Sequence, residues 1–82
     1  MTTYQVFGHL RPQERVVAPF HFDYDAVTEA IDQARYYFHA KGVQGVAITE
    51  MRSDGTGTSL FNAATGHDGE LHASGMLASL IV

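Results

Sequence analysis

The sequence predicts an α+β fold: an antiparallel β-sheet of about four to five strands with one α-helix packed on one face, in the order β-β-α-β-β-β. Three observations predict it. Val27, Ile31, Ala34 and Phe38 recur at helical spacing within Asp25–Lys41, flanked by Ala30 and Tyr37, so one stripe of that segment is apolar. Thr3–Leu10 and Val43–Arg52 instead alternate between two faces, the period of a strand. Between the second of these and Thr58–Ala63 lies Ser53-Asp54-Gly55-Thr56-Gly57, whose Asp-Gly pair supplies the positive φ of a tight hairpin, with Gly57 placed to absorb a bulge.

In chain order, Tyr4, Val6 and Leu10 oppose Gln5, Phe7 and His9 on the first strand. Arg11-Pro12-Gln13-Glu14 is a turn, its proline favouring the bend. Arg15–Phe22 is a second strand, and Pro19 confines it to a sheet edge or a bulge because proline cannot donate to a ladder. Asp23 or Asp25 is expected to cap the helix, Lys41 to lie in its last turn and Gly42 to close it in the left-handed conformation. In the hairpin beyond, Val46 and Ile48 share one face and Ala47, Thr49 and Met51 the other, while Leu60 and Asn62 oppose Ser59, Phe61 and Ala63. Ala64–Gly69 is a second turn-rich loop, and Glu70–Ser74 alternates weakly. After Gly75, the apolar run Met76–Val82 favours a buried strand, with a short helix through Ala73–Leu80 as the alternative. The three strands after the helix are expected to form a meander.

The chain of 82 residues makes one domain (residues 1–82), with no repeats and no linker. Hydrophobic residues at 45% against 17% charged ones indicate folding rather than disorder. The absence of cysteine removes disulfides, zinc–thiolate sites and thiol nucleophiles. With no apolar leader and no membrane-length apolar run, a cytoplasmic protein that does not enter a membrane is expected. The formal charge of −4 argues against direct nucleic-acid binding, which draws on clustered cations. A basic protein surface is a better match.

Chemistry has little foothold. His9, His21, His39, His67 and His72 show no metal-ligand spacing, although His21-Phe22-Asp23 sets a His and an Asp on one side of a strand, and His67-Asp68 lies near His72. Gly55-Thr56-Gly57 lacks the lysine of a phosphate loop, and no serine sits in a nucleophile elbow. No metal, no cofactor and no enzymatic activity are expected. A metal-dependent enzyme using His21, Asp23, His67 or His72 is the reading that metal analysis would test.

The helix's outer face is more informative. Tyr36 falls opposite Val27, with Glu29, Asp32 and Gln33 on the same half and Asp25 and His39 at its ends. A tyrosine ringed by carboxylates is a candidate partner-binding patch; the competing reading is a solvated face. One helix covers only one sheet face, and Phe7, Phe61, Leu77 and Ile81 add apolar character to the other. A second copy, forming a homodimer through that uncovered face, or another partner is expected to cover it.

The helix Val27-Thr28-Glu29-Ala30-Ile31-Asp32-Gln33-Ala34, the strand Val46-Ala47-Ile48-Thr49-Glu50 and the segment Gly55-Thr56-Gly57-Thr58-Ser59-Leu60-Phe61-Asn62-Ala63 together resemble small phage-encoded type I anti-CRISPR proteins. The resemblance implies a stoichiometric inhibitor that binds a subunit of a CRISPR surveillance complex or its recruited nuclease, in a host cell's cytoplasm. Those targets expose basic, nucleic-acid-binding grooves. The family has no fixed binding motif, so no residue role carries over by position. The alternative is a small structural or homo-oligomeric module with no inhibitory role.

Overall fold

The computed structural model describes residues 2–10 and 18–82. These residues form a five-stranded antiparallel sheet with a helix on one face. The elements are β1 (Thr3–Leu10), β2 (Ala18–Tyr24), α1 (Val27–Phe38), β3 (Val43–Met51), β4 (Gly57–Thr65), β5 (Leu71–Ser74) and α2 (Ala78–Ile81), with strand order β2-β1-β3-β4-β5. The helix connects edge strand β2 to β3, which lies on the far side of β1. β3, β4 and β5 then follow as a meander. Pro19 sits in an edge strand, where its missing donor breaks no ladder. The Arg11–Glu14 turn and the first residues of the expected second strand lie outside the described residues.

The core forms where the apolar phase of the strands meets α1. Val6, Val46, Ile48, Phe61 and Ala63 share the helix-facing side with Ala30 and Ala34, all buried. On α1 the buried line runs through Ala30 and Ala34, and Val27 is only half-buried because it lies in the first turn. The small alanines let the helix sit close to the sheet, while Phe38 reaches down to Phe61 at a centroid distance of 6.1 Å. Gly8, on central strand β1, is buried beneath the Phe20 ring from β2. Phe20 in turn stacks on Tyr37 at 4.0 Å, closing the edge of the core with aromatic surface.

Four local expectations are corrected. The helix spans Val27–Phe38 rather than Asp25–Lys41, and Ala26 occupies its N-cap with no side-chain hydrogen bond. Asp25 is exposed, and Asp23 belongs to β2, where it pairs with His21 instead of capping. Gly42 does take a positive φ of 85° beyond the helix end.

The bulge lies at Leu60, not Gly57. Ile48 pairs with Phe61 and Thr49 with Ser59, so Leu60 is the extra residue. Leu60 and Phe61 are consequently both buried, which strict alternation forbids.

Finally, Met76–Val82 does not form a strand. β5 pairs only with Asn62–Thr65, and Gly75 (φ 108°) turns the chain across Leu60. The Leu77 N–H donates to the Leu60 carbonyl at 3.1 Å, and α2 then plants Ile81 in the core.

Candidate functional site

The outer face of α1 carries the expected partner-binding residues in a definite arrangement. Asp25, Glu29, Asp32 and Tyr36 are all exposed; helical spacing puts Glu29, Asp32 and Tyr36 on one line, and Asp25 lies just before the N-cap. Tyr36 is 69% exposed. Its ring meets Tyr37 edge-on at 5.3 Å, and Tyr37 is anchored by the Phe20 stack, so the exposed ring is backed by buried aromatic surface. Phe22, 40% exposed on β2, extends this aromatic region with its centroid 6.1 Å from Tyr37. Burial, together with the neighbouring Tyr37 and the Glu29 carboxylate, raises the Tyr24 phenol above its ordinary value of 10.0.

Two predicted members stand apart. Gln33 is half-buried. His39 is at the helix C-cap, and its Nε2 donates to the Ile81 carbonyl at 3.2 Å, so it serves the α1–α2 junction rather than the stripe. The sequence reading also overlooked Arg35. This cation lies beside Asp32 at 3.5 Å, yet its Nε and Nη2 donate to the Leu80 carbonyl at 3.1 and 2.7 Å. The guanidinium therefore bridges Asp32 and the C-terminal end of the chain, leaving Asp25 and Glu29 as the carboxylates away from it. No local signal marks this contact, because its partners are 45 positions apart.

The sheet face away from α1 differs from its expectation. Register and alternation place Gln5, Phe7, His9, His21, Asp23, Ala47, Thr49, Asn62, His72 and Ser74 there. Phe61 instead points into the core, and Leu77 and Ile81 belong to the segment around α2. Apolar character on this face comes from Phe7, 41% exposed, and the half-buried Met51, beside small residues. Phe7, His9, Gly45, Ala47, Asn62 and Ala64 border a shallow trough of ≈ 250 Å³. That volume is below the usual range of small-molecule sites, about 300–1,000 Å³.

Two histidine–aspartate pairs flank the sheet. His21 Nε2 meets Asp23 at 2.8 Å on β2, and His72 Nε2 meets Asp68 at 3.0 and 3.1 Å beside β5. Four strand spacings separate these edges, about 19 Å, so the pairs have no common ligand. Among the described residues no three His, Asp or Glu side chains gather at metal-binding distance. The turn aspartates have a structural task. Asp54 accepts from the Thr56 N–H and hydroxyl at 3.0 and 2.6 Å, and Asp68 accepts from the Glu70 N–H at 3.0 Å. These bonds, with His72 adding to Asp68, lower both carboxyls below their ordinary value of 3.8.

Among the described residues no helix is long and apolar enough to cross a membrane. No family model matches the chain, and neither a curated protein nor a solved structure matches it.

Proposed function

We propose that the chain is a non-enzymatic protein-binding inhibitor that uses the outer face of α1 to occupy a basic, nucleic-acid-binding protein surface. One observation carries the reading: Glu29, Asp32 and Tyr36 form a single exposed line on α1 with Asp25 exposed just before it, and the neighbouring cation, Arg35, is shared between Asp32 and the Leu80 carbonyl. Tyr36 supplies contact area at small rotamer cost, and the carboxylates supply attraction and steering. The sequence resemblance to type I anti-CRISPR proteins supports a specific target class: a subunit of a CRISPR surveillance complex, or the nuclease it recruits, in the host cytoplasm. Binding there blocks access of nucleic acid or nuclease by occupancy.

The test is a titration of purified type I surveillance complex and its nuclease with the wild-type protein and with a Glu29→Lys/Asp32→Lys variant. The variant loses affinity mainly through a slower association rate, by about tenfold at low salt, with the difference shrinking as salt rises. Equal affinity of the two proteins at low salt removes the stripe as the binding surface. Failure of the wild-type protein to bind either target removes the anti-CRISPR assignment.

The second reading is a homo-oligomeric interaction module without inhibitory role. It is favoured by the outer edge of β2, which no other strand pairs with among the described residues, beside the exposed Phe22 ring.

A further inference from the structure

β2 ends the sheet, and among the described residues no other strand pairs with its outer edge. Pro19 sets the phase of that edge. Its missing N–H is tolerated where the donor would face outward, so Pro19, His21 and Asp23 turn their backbone groups to the free side, while Phe20, Phe22 and Tyr24 bond to β1. The side chains are sorted in the same way. Phe20, Phe22 and Tyr24 lie opposite Gly8, Val6 and Tyr4 on the helix side, and His21 and Asp23 lie on the open side, 2.8 Å from each other.

We propose that this edge pairs with β2 of a second copy of the chain, antiparallel and centred on Phe22, joining two sheets across a two-fold axis. Charge complementarity selects the occupant and the register. Centring on Phe22 sets His21 of each chain opposite Asp23 of the other, so imidazole and carboxylate alternate across the junction. It also uses only the backbone donors of His21 and Asp23, which face outward. Centring on His21 would oppose the two imidazoles and require a donor from Pro19. Centring on Asp23 would oppose two carboxylates, which is unfavourable. In the chosen register the two Phe22 rings, each 40% exposed, meet on the axis beside the Phe20–Tyr37 stack. The net charge of −4 on each chain opposes association, but at physiological salt such repulsion is screened over about 8 Å. The contact stands apart from Glu29 and Asp32, the α1 carboxylates whose reversal tests the inhibitor reading.

Sedimentation velocity on the full chain, at about 0.15 M salt and up to roughly 500 µM protein, tests it. The wild type forms a dimer that dissociates on dilution. His21→Asp sets carboxylates against carboxylates and weakens the dimer by about tenfold or more. Adding Asp23→His to that variant restores the alternation and returns affinity close to wild type. Circular dichroism verifies that both variants fold. A wild type that remains monomeric over the whole range overturns the proposal, as does a His21→Asp variant that associates as well as wild type. A double variant that fails to recover while folded overturns the Phe22-centred register. Because Glu29→Lys/Asp32→Lys leaves β2 unaltered, its loss of partner binding with the dimer intact separates the two readings.

Discussion

At Asp54 and Asp68 a side-chain oxygen takes over backbone donors that a tight turn would otherwise leave to water. Both carboxyls ionise more readily in the folded chain than in the unfolded one. Their contribution to stability is therefore complete above the unfolded value and is lost as pH falls through the lowered folded value. Chemical denaturation should show a less stable protein near pH 3 than near pH 6, and an Asp54→Asn/Asp68→Asn variant should narrow that gap. An unchanged gap contradicts the assignment. Gly8 carries a different constraint. A Cβ there would collide with the Gly45 carbonyl oxygen and lie 2.9 Å from Phe20 Cζ. Gly8→Ala should cost at least about 2 kcal/mol, because backbone rather than a movable side chain must give way. Thermal denaturation followed by circular dichroism measures it, and a melting temperature equal to wild type would contradict the close approach. The Asp-Gly turn was legible in the sequence because its requirement is local. The role of Gly8 was not, since it comes from β2 and β3, strands distant in the chain.

Among the elements, α1 and the first hairpin strand were readable from periodicity, and β3 and β4 from alternation around Gly55. The departures occur where a neighbour overrides the local pattern. Leu60 and Phe61 are adjacent large apolar residues, and the bulge at Leu60, opposite the Ile48–Thr49 step of β3, allows both to be buried. Met76–Val82 is apolar enough for a strand, yet β5 is too short to carry the sheet past Asn62, and α2 fills the space beside Leu60. α2 has only four residues, so it depends on tertiary contacts for its stability. Arg35 and His39 provide two of them through the Leu80 and Ile81 carbonyls. Arg35→Ala should lower global stability by about 1 kcal/mol and accelerate amide exchange across Ala78–Val82 more than in β3. Uniform exchange rates, or none altered, would show that Ile81 packing alone holds α2.

Across the whole molecule, the two sides of the helix–sheet sandwich are chemically distinct. The outer side of α1 is acidic and aromatic, whereas the open sheet face mixes Phe7 and Met51 with small, polar and imidazole side chains. The acidic line was visible in the sequence because one helix imposes one geometry on Glu29, Asp32 and Tyr36, with Asp25 preceding its N-cap. The position of Arg35 was not visible, because its guanidinium bridges Asp32 and the Leu80 carbonyl at the other end of the chain. The supposed apolar content of the open face was overstated for a related reason: Phe61, Leu77 and Ile81 were assigned to it from alternation that a bulge and a helix interrupt. The proposed recognition through α1 makes a side-chain prediction that competing surfaces do not share. Hydroxyl-radical footprinting, read by mass spectrometry, on the wild-type protein alone and bound to the surveillance complex measures it directly. The account predicts strong protection of Tyr36 in the complex, with Phe7 and Met76 oxidised as in the free protein. Oxidation of Tyr36 at its free rate in the bound state, with protection confined to Phe7 or Met76, would contradict it.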